Sequence, residues 1–101
     1  MRLLTLSADD RGTGLRFDNE LDDIEPISLG LSERTICEIK RWQRGYLDYY
    51  DLNEQQWRSA ISLITQHEVA GIHIARQVQT ELGGGYHVSF YSQIKRGRID
   101  S

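Results

Sequence analysis

An internal disulfide is excluded at once, because Cys37 is the only cysteine in the 101 residues and a framework needs pairs. Cys37 falls between Ile36 and Ile39 in a helical pattern. It reads as a small core thiol; a reactive one would want an electropositive, accessible setting. Scarce cysteine and no secretory leader suggest a reducing, cytoplasmic compartment. The opening stretch Met1 to Ser7 is too short for a signal's apolar region and soon meets Asp9-Asp10-Arg11. No apolar run approaches the ~20 residues that a membrane span needs, so no membrane partner is expected. The single proline, Pro26, forbids a helix interior around it. Internal repeats and low-complexity segments are absent.

Bases are scarce where acids are dense. The net charge is −3, but residues 1–54 carry 12 acids against 7 bases, and residues 55–101 carry 3 acids against 5 bases. Asp18, Glu20, Asp22, Asp23 and Glu25 place five acids in eight positions with no base among them. Such a patch repels nucleic acid and suits a basic protein surface. The hydrophobic share of 39% beside 27% charged residues is that of a globular domain and argues against disorder.

The length suits a single domain, read in six stretches. Residues 1–17 form a hairpin, with strands at 3–6 and 15–17 around the turn chemistry of Asp9 to Gly14. Residues 18–31 form an acidic loop, tacked to the body by Leu21, Ile24, Ile27, Leu29 and Leu31. Residues 32–50 form a helix capped by Ser32, in which Gly45 costs about 1 kcal/mol relative to Ala and marks a close helix contact. Residues 52–82 form a long helix opened by the capping-box pattern Asp51 to Glu54. Trp57, Ile61, Ile64, Gly71, Ala75, Val78 and Leu82 make its apolar stripe. A second capping pattern at Thr65 to Glu68 offers a rival break there, giving three helices instead of two. Gly83 fits a left-handed helix stop. Residues 86–92 form a strand alternating Tyr86, Val88, Phe90 with His87, Ser89, Tyr91, and residues 95–101 a frayed basic tail. The expected fold is α+β, with the hairpin and last strand in a three-stranded antiparallel sheet covered on one face by the helices.

Catalytic and metal chemistry find no support. His67-Glu68 begins like a zinc-protease pattern, but the position of its second histidine is Gly71. His67 and His73 are six residues apart and do not share a helix face, and His87 lies on the exposed parity of its strand. All three read as surface or rim histidines. Gly83-Gly84-Gly85 follows a helix, whose negative end repels phosphate, so it reads as a turn. The acidic loop lacks calcium-loop spacing. Lys95, Arg96 and Arg98 have no aromatic stacking platform beside them in the sequence. No catalytic residue, cofactor or metal is therefore expected. Trp42 and Trp57 read as core. Tyr46, Tyr49 and Tyr50 cluster at the helix–helix turn; Tyr49 and Tyr50 are about 100° apart on a helix, so both are not buried, and one offers an interface anchor.

Three stretches carry a family resemblance: Leu29-Gly30-Leu31-Ser32, Ile39-Lys40-Arg41-Trp42 with Tyr46, and Gly71 through Gly83 with the strand after it. Over roughly residues 29–91 the chain resembles a group of small, mostly uncharacterised bacterial proteins that include immunity proteins of polymorphic or contact-dependent toxin systems. The resemblance implies a cytoplasmic inhibitor that binds a cognate toxin domain, often a nuclease, with no catalytic residues. The acids at 18–25 lie outside the resemblance, yet a blocker of a basic nuclease cleft would display such a loop. Partner-binding residues are therefore expected at Asp18, Glu20, Asp22, Asp23, Glu25, Tyr46, Tyr49 and Tyr50. The competing expectation is a self-associating structural or regulatory domain, a homodimer paired through a strand edge.

Overall fold

Alternating burial organises the sheet. In the computed structural model, which describes residues 1–9 and 12–100, strand β1 (Arg2–Leu6) buries Leu4 and Leu6 and leaves Leu3 exposed. β2 (Leu15–Phe17) buries Leu15 and Phe17 and exposes Arg16. Asp10 and Arg11 of the expected turn lie outside the described residues. β3 (Tyr86–Ser92) follows the helices, and β4 (Gly97–Asp100) pairs with it. The sheet is therefore four-stranded in the order β2-β1-β3-β4, where a three-stranded sheet was expected. The residues expected to fray as a basic tail include β4, which sets Arg98 opposite Tyr91 and Ile99 opposite Phe90.

The sheet is also mixed, since β1 and β3 run parallel with Leu4 opposite Val88 and Leu6 opposite Phe90. The antiparallel expectation fails because the strand that meets β3 is β1, and the two run in the same direction. β2 has three residues, and its outer side is occupied by the following loop, where the Ile24 N–H donates to the Leu15 carbonyl at 2.8 Å. The longer β1 is the strand left to meet β3. A parallel pair needs a long crossover, and the helical region supplies it.

Helix α1 (Glu33–Tyr46) starts where Ser32 accepts the Thr35 N–H at 3.3 Å. It stops at Tyr46, short of the expected 50. There the Leu47, Asp48 and Tyr49 N–H groups bond to carbonyls three residues back, which tightens the chain and turns Tyr49 inward. The long helix of residues 52–82 is two helices, α2 (Glu54–Ser59) and α3 (Ile61–Leu82). The junction is at Ala60, not at Thr65, whose hydroxyl donates to the Ile61 carbonyl within α3. The Ala60 N–H is shared between the Gln56 and Trp57 carbonyls. The capping box that opens α2 is Asn53 with Gln56 rather than Asp51 with Glu54. Gly83 has a positive φ of 77° but an extended ψ of −164°, so it ends α3 without the left-handed cap.

The core lies between one sheet face and the pair α1–α3. Leu4, Leu6, Phe17, Ile39, Trp42, Val78, Val88 and Phe90 fill it. α1 and α3 run antiparallel, as the Thr35–Glu81 and Trp42–His67 contacts require. Two glycines set their approach. A Cβ on Gly71 would stand 2.4 Å from Phe90 and 2.7 Å from Trp42, and one on Gly45 would stand 3.0 Å from His67. The close contact expected at Gly45 is present. Cys37, expected in the core, is exposed on α1.

Candidate protein-binding surface

The acidic loop is less free than its charge suggests. Asp18 accepts the Thr5 hydroxyl at 2.6 Å and pairs with Arg98. Glu20 meets Arg2 at 3.5 Å, and Arg2 in turn lies over the Phe17 ring. Asp23 accepts the Thr13 N–H at 2.8 Å and the Gly14 N–H at 3.4 Å, closing the hairpin turn. That leaves Asp22 and Glu25 as exposed acids with no ion pair to another described residue. The loop's apolar residues divide as well. Leu31 is buried, and Ile24 and Leu29 pack against the core, as expected. Leu21 and Ile27 do not tack the loop down, being 94% and 74% exposed. Reading the sequence missed these two bare side chains. The available signal was Leu21 lying between Glu20 and Asp22 with no apolar periodicity to bury it.

The tyrosines at the α1–α2 turn separate by depth. Tyr49 is 2% exposed, Tyr46 is half-buried and Tyr50 is 47% exposed. Tyr50 is therefore the most exposed of the three. Tyr49 belongs to an internal network with His67, a residue expected at the surface. The His67 Nε2 lies 2.6 Å from the Trp42 carbonyl oxygen, which can only accept, so the hydrogen sits on Nε2. Nδ1 then accepts the Tyr49 hydroxyl at 2.5 Å. Burial, aided by Glu68 and Tyr46, pushes the Tyr49 phenol well above its usual range and keeps it a donor. The imidazole stacks on the Trp42 indole at 4.8 Å, and the indole N–H donates to the His67 carbonyl at 2.8 Å. Trp57, expected in the core, is half-buried and meets Tyr49 edge-on.

Two further acids have structural duties. Glu68 is buried and accepts the Ser92 hydroxyl and the Gln93 N–H, each at 2.6 Å, which anchors the end of β3 to α3. Glu81 accepts the Ser32 N–H at 2.7 Å and the Thr35 hydroxyl, tying the start of α1 to the end of α3. These donors lower its pKa from 4.5 to about 2. Among the described residues, no group of histidine, cysteine or acidic side chains is arranged to hold a metal ion, and no helix is long and apolar enough to cross a membrane.

The sheet face away from the helices holds a depression of about 520 Å³ lined by Thr5, Arg16, Asp18, Glu20, Tyr91 and Arg98. It borders the acidic loop, so Asp18 and Glu20 belong to both. Tyr50 of the α1–α2 turn does not line the depression. Ser89, expected on the exposed side of β3, is 4% exposed, because β3 has a neighbouring strand on each side.

Leu21 and Ile27 are thus bare apolar side chains set among the acids of the 18–31 loop. No curated protein matches the chain. The family model described as Serratia CdiI immunity protein-like matches residues 3–93, from β1 through the end of β3. The chain belongs to that family and is an immunity protein of contact-dependent inhibition, the partner of a cognate toxin protein.

Proposed function

We propose that the protein is a non-catalytic, cytoplasmic inhibitor that occupies a basic, nuclease-type toxin domain, with the loop of residues 18–31 as its principal contact. The observation that carries this reading is the exposure of Leu21 and Ile27 among Glu20, Asp22 and Glu25. Apolar anchors supply binding energy once water is excluded, and surrounding acids steer a basic partner and speed its approach. Tyr50 offers a second anchor at the α1–α2 turn. The excess of acids over bases in residues 1–54 favours a basic toxin.

The test uses the C-terminal domain of the toxin encoded beside this gene. Co-expression should relieve the growth arrest that domain causes. Converting Asp22 to Asn and Glu25 to Gln should slow association and flatten its salt dependence. No protection and no co-purification would end the immunity reading for that pair, while unchanged kinetics in the double variant would move the contact elsewhere. A self-associating domain is the second reading, supported by the position of β4 at the edge of the sheet. A monomer by light scattering at high concentration removes it.

A further inference from the structure

Tyr91 lies between two depressions. One is the sheet-face depression described above; the other, about 750 Å³, opens between α2 and the β3–β4 turn and is lined by Glu54, Trp57, Arg58, Gln93 and Arg96. Together they bring to one surface the aromatic residues Trp57 and Tyr91 and the cations Arg16, Arg58, Arg96 and Arg98. The sequence scatters these residues over 83 positions. Arg58 and Arg98 are paired with Glu54 and Asp18. Arg16 and Arg96 are exposed, and their side chains make no hydrogen bond or ion pair to another described residue.

Arg96 stands out for its backbone. Its φ of 54° is the single positive value at a non-glycine among the described residues. The turn there spans 93–96 between the paired ends Ser92 and Gly97, and a left-handed position in such a turn ordinarily takes Gly or Asn. Gly97 stands one residue too late to relieve it. A strained residue whose side chain makes no hydrogen bond or ion pair to a described residue points to a use outside the fold.

We propose that this groove binds an extended acidic segment of the toxin, with Arg96 and Arg16 gripping carboxylates and Trp57 and Tyr91 packing along the chain between them. The planar guanidinium matches a carboxylate in a two-pronged hydrogen bond. Asp18, Glu20 and Glu54 also line the groove. They would repel the continuous phosphates of a nucleic acid, whereas spaced carboxylates can sit between them, which favours a peptide. The inference rests on the immunity reading and extends it: the toxin is met by acids at the loop and by arginines at the groove.

The experiment measures binding of the neighbouring gene's toxin domain to the wild-type protein and to Arg96→Gly and Arg96→Glu, together with each thermal midpoint. Arg96→Gly removes the cation and relieves the backbone, so binding should weaken by about tenfold, the scale of one charge-assisted contact, while the midpoint holds or rises. Arg96→Glu should bind more weakly still. That opposite movement of affinity and stability is what a merely structural arginine would not produce. Wild-type binding with both variants within about twofold of it, near the limit of meaningful differences, overturns the groove and leaves the immunity reading intact. A wild-type protein that fails to bind the toxin overturns both.

Discussion

Replacing Gly71 with alanine puts the packing argument to a numerical test. The new methyl would lie 2.4 Å from a Phe90 ring carbon and 2.7 Å from one of Trp42. Carbon atoms rest at about 3.5 Å or more, so both rings would have to retreat by roughly 1 Å. Neither is free to do so. Phe90 is 1% exposed, and Trp42 is held by its indole hydrogen bond and its stack on His67. Overpacking of this kind costs about 1–3 kcal/mol. With two fixed rings the upper end applies, and the helix preference of alanine returns about 1 kcal/mol. The expected net loss is about 2 kcal/mol. For a domain of this size that corresponds to a fall of roughly 8–16 °C in the thermal midpoint. Gly45→Ala is the control: its methyl would meet only the edge of His67 at 3.0 Å, and its stability should stay within about 1 kcal/mol of wild type. Urea unfolding with unchanged slope gives both differences. A Gly71→Ala protein as stable as wild type would refute the claim that this glycine sets the distance between α3 and the sheet.

Other outcomes follow from single contacts. Because the Glu81 pKa is lowered from 4.5 to about 2, its carboxylate contributes stability above pH 4.5, and that contribution disappears as the pH falls toward 2. The stability gap between wild type and Glu81→Gln should therefore shrink across that window; a pH-independent gap would contradict the assignment. Tyr49→Phe removes the donor to His67 Nδ1 and should cost about 1–2 kcal/mol in chemical denaturation. Leu21→Ala and Ile27→Ala should each leave stability within about 0.5 kcal/mol of wild type. Each should also weaken toxin binding by about 1 kcal/mol or more by calorimetry.

The helical half of the fold was easier to read than the sheet. The Ser32 cap and the stripe through Ile64, Gly71, Ala75 and Val78 are local signals, and the structure has them. The break at Ala60 left no mark, since alanine offers no capping atom and suits a helix interior. The parallel pairing of β1 with β3 depends on which hairpin strand keeps an open side, and that is decided by the Ile24–Leu15 bond, a tertiary fact. β4 was lost because four residues of mixed polarity after a basic turn resemble a tail. The loop acids were visible as charge, but their engagement with Arg98, Arg2 and the hairpin turn was not. Nothing local tells an acid that steers a partner from one that closes a turn. The groove could not be found without β4, whose register sets Arg98 beside Tyr91.

The pairing of β1 with β3 also has a consequence in time. Leu6 reaches its partner Phe90 only after the intervening residues, more than eighty of them, have been made. At about 5–20 residues per second, a ribosome takes roughly 4–16 s over that stretch. During this interval the edge of β1 that β3 will fill has no partner strand. Half-made copies thus cannot assemble the central pair of the sheet.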